Sequence, residues 1–430
     1  YFIEHAADGR TVTRDELRKQ LWRIKVEDVT IRSCLKTLRK ALRDPVAAPR
    51  YVKTHGKDGW RLLPQVHRLC SQPRSALPPA PGGSYELAHY IPRPSEEQQL
   101  RSCLQGPGQF AVVFGPPGCG KRLLIERVLQ QALQSDSALL SRALRVSIRA
   151  AVEQHGATLD GLLKEIGRLI LRASGKPEEA TDRRLNELWS PNILAKQKLR
   201  ELMMHLLIAD PPPKPGALPT ALILYEADRL TGCSFQADVF NMLRAWQSDH
   251  FLDSLRLVIA TSVPPRLFPL GVQSSLWTKV QRMDVSRIKL EPLMQLAELH
   301  GVHFSRPACE RLGELVGWNV YLCRTALYYA AVHGLSVDAV LAAHQPSQQA
   351  FGAFTEHLED LSQELGRLDA IHAFPKPLGL LIKDALDGAT LPIEASWLLF
   401  RKGVIAEAET RGQFRCRCTL YADFFRHLRS

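Results

Sequence analysis

The nine residues FGPPGCGKR, Phe114 to Arg122, constrain this chain more than any other stretch. An apolar run, FAVVF (110–114), precedes them, and an amphipathic stretch, LLIERVLQQAL (123–133), follows. Strand, glycine-rich loop and helix in that order aim backbone N–H groups and the positive end of a helix dipole at one spot, which favours a phosphate there. Gly115, Gly118 and Gly120 let the backbone approach such an anion closely. The spacing G-x-x-x-x-G-K, Gly115 to Lys121, adds an ammonium for the outer phosphates of a nucleotide. We therefore expect Gly115, Pro116, Gly118, Cys119, Gly120, Lys121 and Arg122 to bind nucleotide, ATP or ADP, on an α/β fold. One position resists. The residue after the lysine ordinarily gives a hydroxyl to magnesium, and here it is Arg122.

A second strand should bring the acidic pair that organises the metal and the attacking water. TALILYEADRL (220–230) is the candidate, an apolar run followed by acid. The pair reads Tyr225-Glu226 where Asp-Glu is needed, so the metal-ordering carboxylate is gone and Glu226 remains as a vestigial catalytic candidate. A third run, LRLVIATSV (255–263), ends in Thr261 and Ser262; Ser262 would sense a terminal phosphate, or be an ordinary strand-end hydroxyl. Phosphoryl transfer depends on positioning and metal charge. With two magnesium supports missing, we expect nucleotide binding with little or no hydrolysis, magnesium being left open. Arg122 would add a cation beside the phosphates.

The formal net charge is +12, and residues 1–64 hold 15 Lys and Arg against 8 Asp and Glu. Such a surface attracts phosphate backbones without reading sequence. In VEDVTIRSCLKTLRKALRD (26–44), Ile31, Leu35, Leu38 and Leu42 recur at helical spacing, and Arg32, Lys36, Arg39, Lys40 and Arg43 fall on other faces. An earlier stretch, TVTRDELRKQLW, pairs Thr13 with Glu16 at capping-box spacing and buries Leu17, Leu21 and Trp22. RYVKTHGKDGWRLL places Gly56 and Gly59 between alternating flanks and predicts a hairpin.

On these residues, TRDELRKQLW, L--LRKAL and YVKT---DGWRL, the segment 1–64 resembles the OmpR/PhoB-type winged-helix DNA-binding domain of bacterial response regulators. The resemblance implies duplex DNA as partner, with Thr30 near a phosphate and Arg32, Ser33, Lys36 and Thr37 facing the groove. It places Arg39 and Lys40 nearby and Lys53, His55 and Lys57 on or near the wing. A winged helix used for protein contacts is the alternative. That family carries a small sheet before its first helix, and Tyr1–Ala6 resembles the end of that helix, so residues upstream of Tyr1 are expected.

Pro, Gly and Ser crowd ALPPAPGGS, so 65–94 reads as an extended tether. Beyond it, YEADRL, VFNMLRAWQSD, LRLVIATSVPPRL, ELVGWNVYLCRTALYYAAVHGLSVDAVLAAH and CTLYADFF fall in an order that resembles a bacterial AAA-like family related to the STAND and origin-recognition-type ATPases. The fold class implied is multidomain: an α+β winged helix, then an α/β phosphate-loop body (95–290), a helical lid (291–347) and a winged-helix-like end (348–430). The family carries G-K-S/T, Asp-Glu and Gly-Gly-His-Pro. This chain has Gly120-Lys121-Arg122, Tyr225-Glu226 and Gly317-Trp318-Asn319-Val320. Three departures at nucleotide-linked places imply a kept fold and a weakened switch.

The rest of the sequence narrows the choices. No apolar run is long enough to span a bilayer, so no membrane partner is expected. Among nine cysteines only Cys416 and Cys418 are close, which completes no zinc set, and His300 and His303 have no third ligand nearby; no metal site is expected. Trp318, Tyr321, Tyr328 and Tyr329 read as packing residues at helical spacing. Arg411, Arg415 and Arg417 make a basic hairpin that is either solvated or in contact with nucleic acid. Reduced thiols suit a bacterial cytoplasm, with the protein on the nucleoid. Three functions stay open: a DNA-binding regulator or adaptor, in transcription control or in a mobile-element or antiviral system, whose body binds partner proteins or itself; an active ATP-dependent assembly factor on DNA; and a structural subunit with protein-binding winged helices.

Overall fold

The computed structural model divides the chain into two units, Tyr1–Leu77 and Pro78–Ser430. It describes residues 11–13, 36, 52–55, 59–62, 87, 90–106, 110–134, 138–156, 158–175, 177–189, 193–207, 218–249, 253–265, 280–348, 350–372, 374–408 and 414–427.

In the first unit three short strands form an antiparallel sheet, β1 (Thr11–Thr13), β2 (Val52–His55) and β3 (Gly59–Leu62), in the order β1-β3-β2. The hairpin expected around Gly56 and Gly59 is β2–β3, registered from Val52↔Leu62 to His55↔Gly59. β1 is a strand that the sequence pattern does not announce; it pairs with β3, Thr13 level with Gly59.

The second unit is built on a five-stranded parallel sheet: β4 (Phe110–Phe114), β5 (Arg142–Ser147), β6 (Thr220–Tyr225), β7 (Leu255–Thr261) and β8 (Gln281–Asp284), ordered β5-β6-β7-β4-β8. A parallel sheet is covered on both faces, so its central strands read as unbroken apolar runs; β4, β6 and β7 are buried along nearly their whole length. Helices Pro94–Gln105 and Lys121–Gln134 supply one core layer, with Leu100, Leu104, Ile125, Val128 and Leu129 packed on Val113, Ile223 and Val258.

Four helices, Ile148–His155, Leu159–Ala173, Glu178–Leu188 and Ala195–Leu207, lie between β5 and β6. The Leu159–Ala173 helix starts at Thr158, whose side chain accepts the Gly161 N–H, and it buries Leu162, Leu163, Ile166, Ile170 and Leu171. Helices Leu290–Leu299, Arg306–Leu315, Val320–His333 and Val337–Ala342 follow the sheet. The chain ends in helices Thr355–Ile371, Leu378–Leu386 and Ile393–Arg401, the hairpin β9 (Ile405–Glu407) and β10 (Phe414–Cys416), and helix Thr419–Arg426. His300 is a core residue whose Nδ1 lies 2.8 Å from the Leu296 carbonyl oxygen.

Candidate nucleotide site and nucleic-acid interface

Parallel strands bring their C-terminal ends to one edge, where ligands of open α/β sheets collect. β4 enters the glycine loop there. Phe114 is level with Thr261, and the Gly115 N–H donates to the Thr261 carbonyl at 3.3 Å, so Ser262 follows directly beside the loop. Tyr225 is level with Ser147. The topology thus gathers the loop, Glu226 and Ser262, all expected site residues, with Tyr225, which stands where an Asp was expected, at one edge of the sheet.

The loop's backbone can present N–H groups to an anion. Helix Lys121–Gln134 begins directly after it, so its first-turn N–H groups lack partners within the helix. Gly118 and Gly120 have φ of +75° and +88°, a region that glycine enters freely. Lys121 folds across the loop, its Nζ donating to the carbonyl oxygens of Gly115 at 2.6 Å and Pro116 at 2.9 Å. Cys119 is fully buried beneath the loop, while Pro116 is buried within it.

The metal side of the same edge is rebuilt. The Arg122 guanidinium lies over the Tyr225 ring, 5.7 Å from its centroid, within cation–π range. The Tyr225 hydroxyl donates to Glu126 Oε1 at 2.8 Å, and Arg145 grips the same carboxylate with three hydrogen bonds of 2.8–3.0 Å. Burial alone would raise the Glu126 carboxyl, but the hydrogen bonds from Arg145 and Tyr225 outweigh it and hold it below the usual carboxylate range. Burial, then the Glu126 charge, push the Tyr225 phenol upward.

Glu226 has a left-handed backbone, φ 58°, and its Oε2 accepts from Ser147 Oγ at 3.3 Å. Asp228, buried, accepts the Ser262 N–H at 2.8 Å. This corner does not fit magnesium. It offers a guanidinium and a phenol where hydroxyl and carboxylate oxygens would have to meet the ion. Among the described residues no group of three or more His, Cys, Asp or Glu is placed to hold any metal.

Residues from three other segments clasp the loop. Arg93, buried, donates to the Cys119 carbonyl at 2.9 Å and the Val285 carbonyl at 3.3 Å. Asn319 caps helix Val320–His333 by accepting the Tyr321 and Leu322 N–H groups, and its Nδ2 donates to the Pro117 carbonyl at 3.4 Å. A Cβ on Gly118 would lie 2.5 Å from Tyr321 Cβ, and one on Gly403 would lie 3.0 Å from Pro116 and Pro117.

Trp318 and Glu226 are the non-glycine residues with positive φ among those described, and both sit in stretches that depart from the expected nucleotide motifs. Trp318 stacks where a side chain on Gly313 would stand, so it is a packing residue. Arg417 turns inward to the Gly403 and Ile405 carbonyls at 3.0 and 3.1 Å, over the Phe400 ring, so it is not available to nucleic acid; Arg411 lies outside the described residues.

In the first unit, Lys36 is helical and exposed, and β2 carries positions Lys53 and His55. Thr30, Arg32, Ser33, Thr37, Arg39, Lys40 and Lys57 lie outside the described residues, as do Tyr1–Ala6.

Comparison with known proteins decides the family. Residues 81–427 match the family described as AAA-like domain. The chain belongs to that AAA-like family. Ahead of the AAA-like body, residues 1–62 match the family described as Transcriptional regulatory protein, C terminal, the OmpR/PhoB type expected from the sequence. Two curated relatives are similar: the cholera toxin transcriptional activator of Vibrio cholerae, 28% identical over 131 residues, 27% of this chain and 42% of that protein, and the cholera toxin homolog transcriptional activator of Vibrio parahaemolyticus, 39% identical over 64 residues, 14% of this chain and 22% of that one. The chain therefore spans less than half the length of either.

Among solved structures, the Walker-type ATPase of Pyrococcus abyssi is 13% identical with a TM-score of 0.50, covering 78% of this chain and 96% of its own. The Aeropyrum pernix ORC2 protein in ADPNP–ADP complexes is 16% identical with a TM-score of 0.45, covering 79% and 94%. At these identities the first likeness is one of fold. Around the loop the AAA-like body places residues that the sequence did not assign to it: Arg93, Glu126 and Arg145, with Tyr321, which was expected only to pack; Asn319 lies in a stretch that the sequence had already linked to nucleotide. The helical spacing of Arg122 and Glu126, four apart, was the available signal for Glu126.

Proposed function

We propose that this chain is a DNA-docked transcriptional regulator whose AAA-like body binds ATP or ADP with little or no turnover and serves as a scaffold for partner proteins or further copies. The observation that carries the reading is the contact between Arg122 and Tyr225, 5.7 Å apart at the corner where hydroxyl and carboxylate would hold magnesium. Gly115, Pro116, Gly118, Cys119, Gly120, Lys121 and Ser262 are the proposed phosphate contacts, and Glu226 is a carboxylate without its metal. The two Vibrio activators favour transcription control over a role in mobile elements or antiviral defence.

For the head, the match over residues 1–62, the basic charge there and the β2–β3 hairpin support docking on duplex DNA. Thr30, Arg32, Ser33, Lys36, Thr37, Arg39 and Lys40 form the proposed groove face, and Lys53, His55 and Lys57 the proposed wing contacts. No helix among the described residues is long and apolar enough to cross a membrane; we place the protein on the bacterial nucleoid. Fluorescence anisotropy on labelled duplex, titrated with salt, tests the head. K36A/R39A should weaken binding and lower the salt slope by about 0.9 for each phosphate that is no longer neutralised. Unchanged binding rejects this docking.

A further inference from the structure

The metal corner differs from a magnesium site in a way that conserves charge, and this extends the reading of the body as a nucleotide binder, on which it rests. In a magnesium site a divalent ion, one carboxylate and one neutral hydroxyl leave a single positive charge facing the phosphates. In this chain Arg122 supplies one positive charge and Tyr225 none, since burial and the Glu126 carboxylate keep the phenol protonated. The two replaced positions still face each other, the guanidinium over the ring at 5.7 Å.

Glu126 acts on Arg122 through its charge but makes no hydrogen bond to it. Its carboxylate is committed to Arg145 at 2.8 Å and to the Tyr225 hydroxyl at 2.8 Å, and among the described residues Arg122 forms no direct ion pair. Arg122 is the second residue of the helix that follows the loop, one position beyond Lys121, and it is exposed. An exposed guanidinium, planar and always charged, offers a fork of donors that matches phosphate oxygens. The flat phenol beneath it limits its rotation. Tyr225 is in turn fixed by Glu126, and Glu126 by Arg145, so the ring and its carboxylate support form a chain of contacts ending on β5.

We infer that this site binds a nucleoside polyphosphate without a divalent cation, with the Arg122 guanidinium standing in for the metal. The guanidinium balances phosphate charge, but it has no coordination shell in which to order an attacking water, which separates binding from turnover.

The test is equilibrium binding of fluorescent mant-ATP and mant-ADP to the full chain, once with EDTA and once with excess magnesium. Affinities should agree within about threefold. R122S, at an exposed position, should lose roughly tenfold with EDTA, the worth of a charge-assisted hydrogen bond, and R122K should recover part of that loss. Binding that requires magnesium, or an R122S affinity unchanged in EDTA, overturns the inference and leaves the body a nucleotide binder. Binding in neither condition overturns both.

Discussion

The two sides of one sheet edge carry contrasting chemistry. On the phosphate side, the loop keeps its glycines at φ +75° and +88°, its lysine and its position beside Ser262. On the metal side, where the sequence motif calls for two oxygen ligands, a guanidinium, a phenol, a carboxylate and a second guanidinium contact one another. Nothing in the strand order separates the two sides; only side chains do. The difference teaches that phosphate recognition rests mostly on backbone and helix geometry, which substitution leaves alone, whereas metal chemistry rests on two side chains and is lost when they change.

Substitutions can break or sharpen this contrast. K121A on the phosphate side should cost the most, roughly a hundredfold in mant-nucleotide affinity, because it would remove the proposed charge-assisted hydrogen bonds to phosphate. Retained affinity would move the ligand off the loop. G118A comes next. The new methyl would meet Tyr321 Cβ at 2.5 Å with φ at +75°, so thermal melts should show a loss of about 2 kcal/mol. A neutral result would mean that the clasp on the loop is loose.

E126Q on the metal side should have the smallest effect, about 1 kcal/mol, because Arg145 is partly exposed and its pairing is screened. Its signature is in pH. The Glu126 carboxyl is held below its ordinary range, so its contribution is complete above that range and fades as pH falls through the lowered value. Melting temperature against pH should therefore have a shallower acid limb in E126Q than in the parent chain. Parallel limbs would mean that the Tyr225–Glu126–Arg145 cluster contributes nothing to folding.

What the sequence disclosed was local. β4, β6 and β7 announce themselves as apolar runs, and the loop by its glycine spacing; Gly56 and Gly59 mark the β2–β3 hairpin. What it hid depends on contacts between distant segments. β5 is hard to read as a strand because Arg142 and Arg145 interrupt its apolar pattern, and Arg145 is there because Glu126 receives it. Arg93 sits among prolines that read as tether, yet its guanidinium binds the loop carbonyl. Arg417 reads as a free cation in a basic hairpin, but two carbonyls turn it inward, and burial depresses its pKa. The departure from the expected motif was legible at Arg122 and Tyr225; that the two side chains touch each other was not.

The most direct test of a body that binds without turning over is steady-state phosphate release from Mg·ATP by the full chain, with and without duplex DNA. Release no faster than the protein-free control is expected in both cases. Sustained release at about 1 s⁻¹ or faster, within the ordinary range for enzymes, would contradict it.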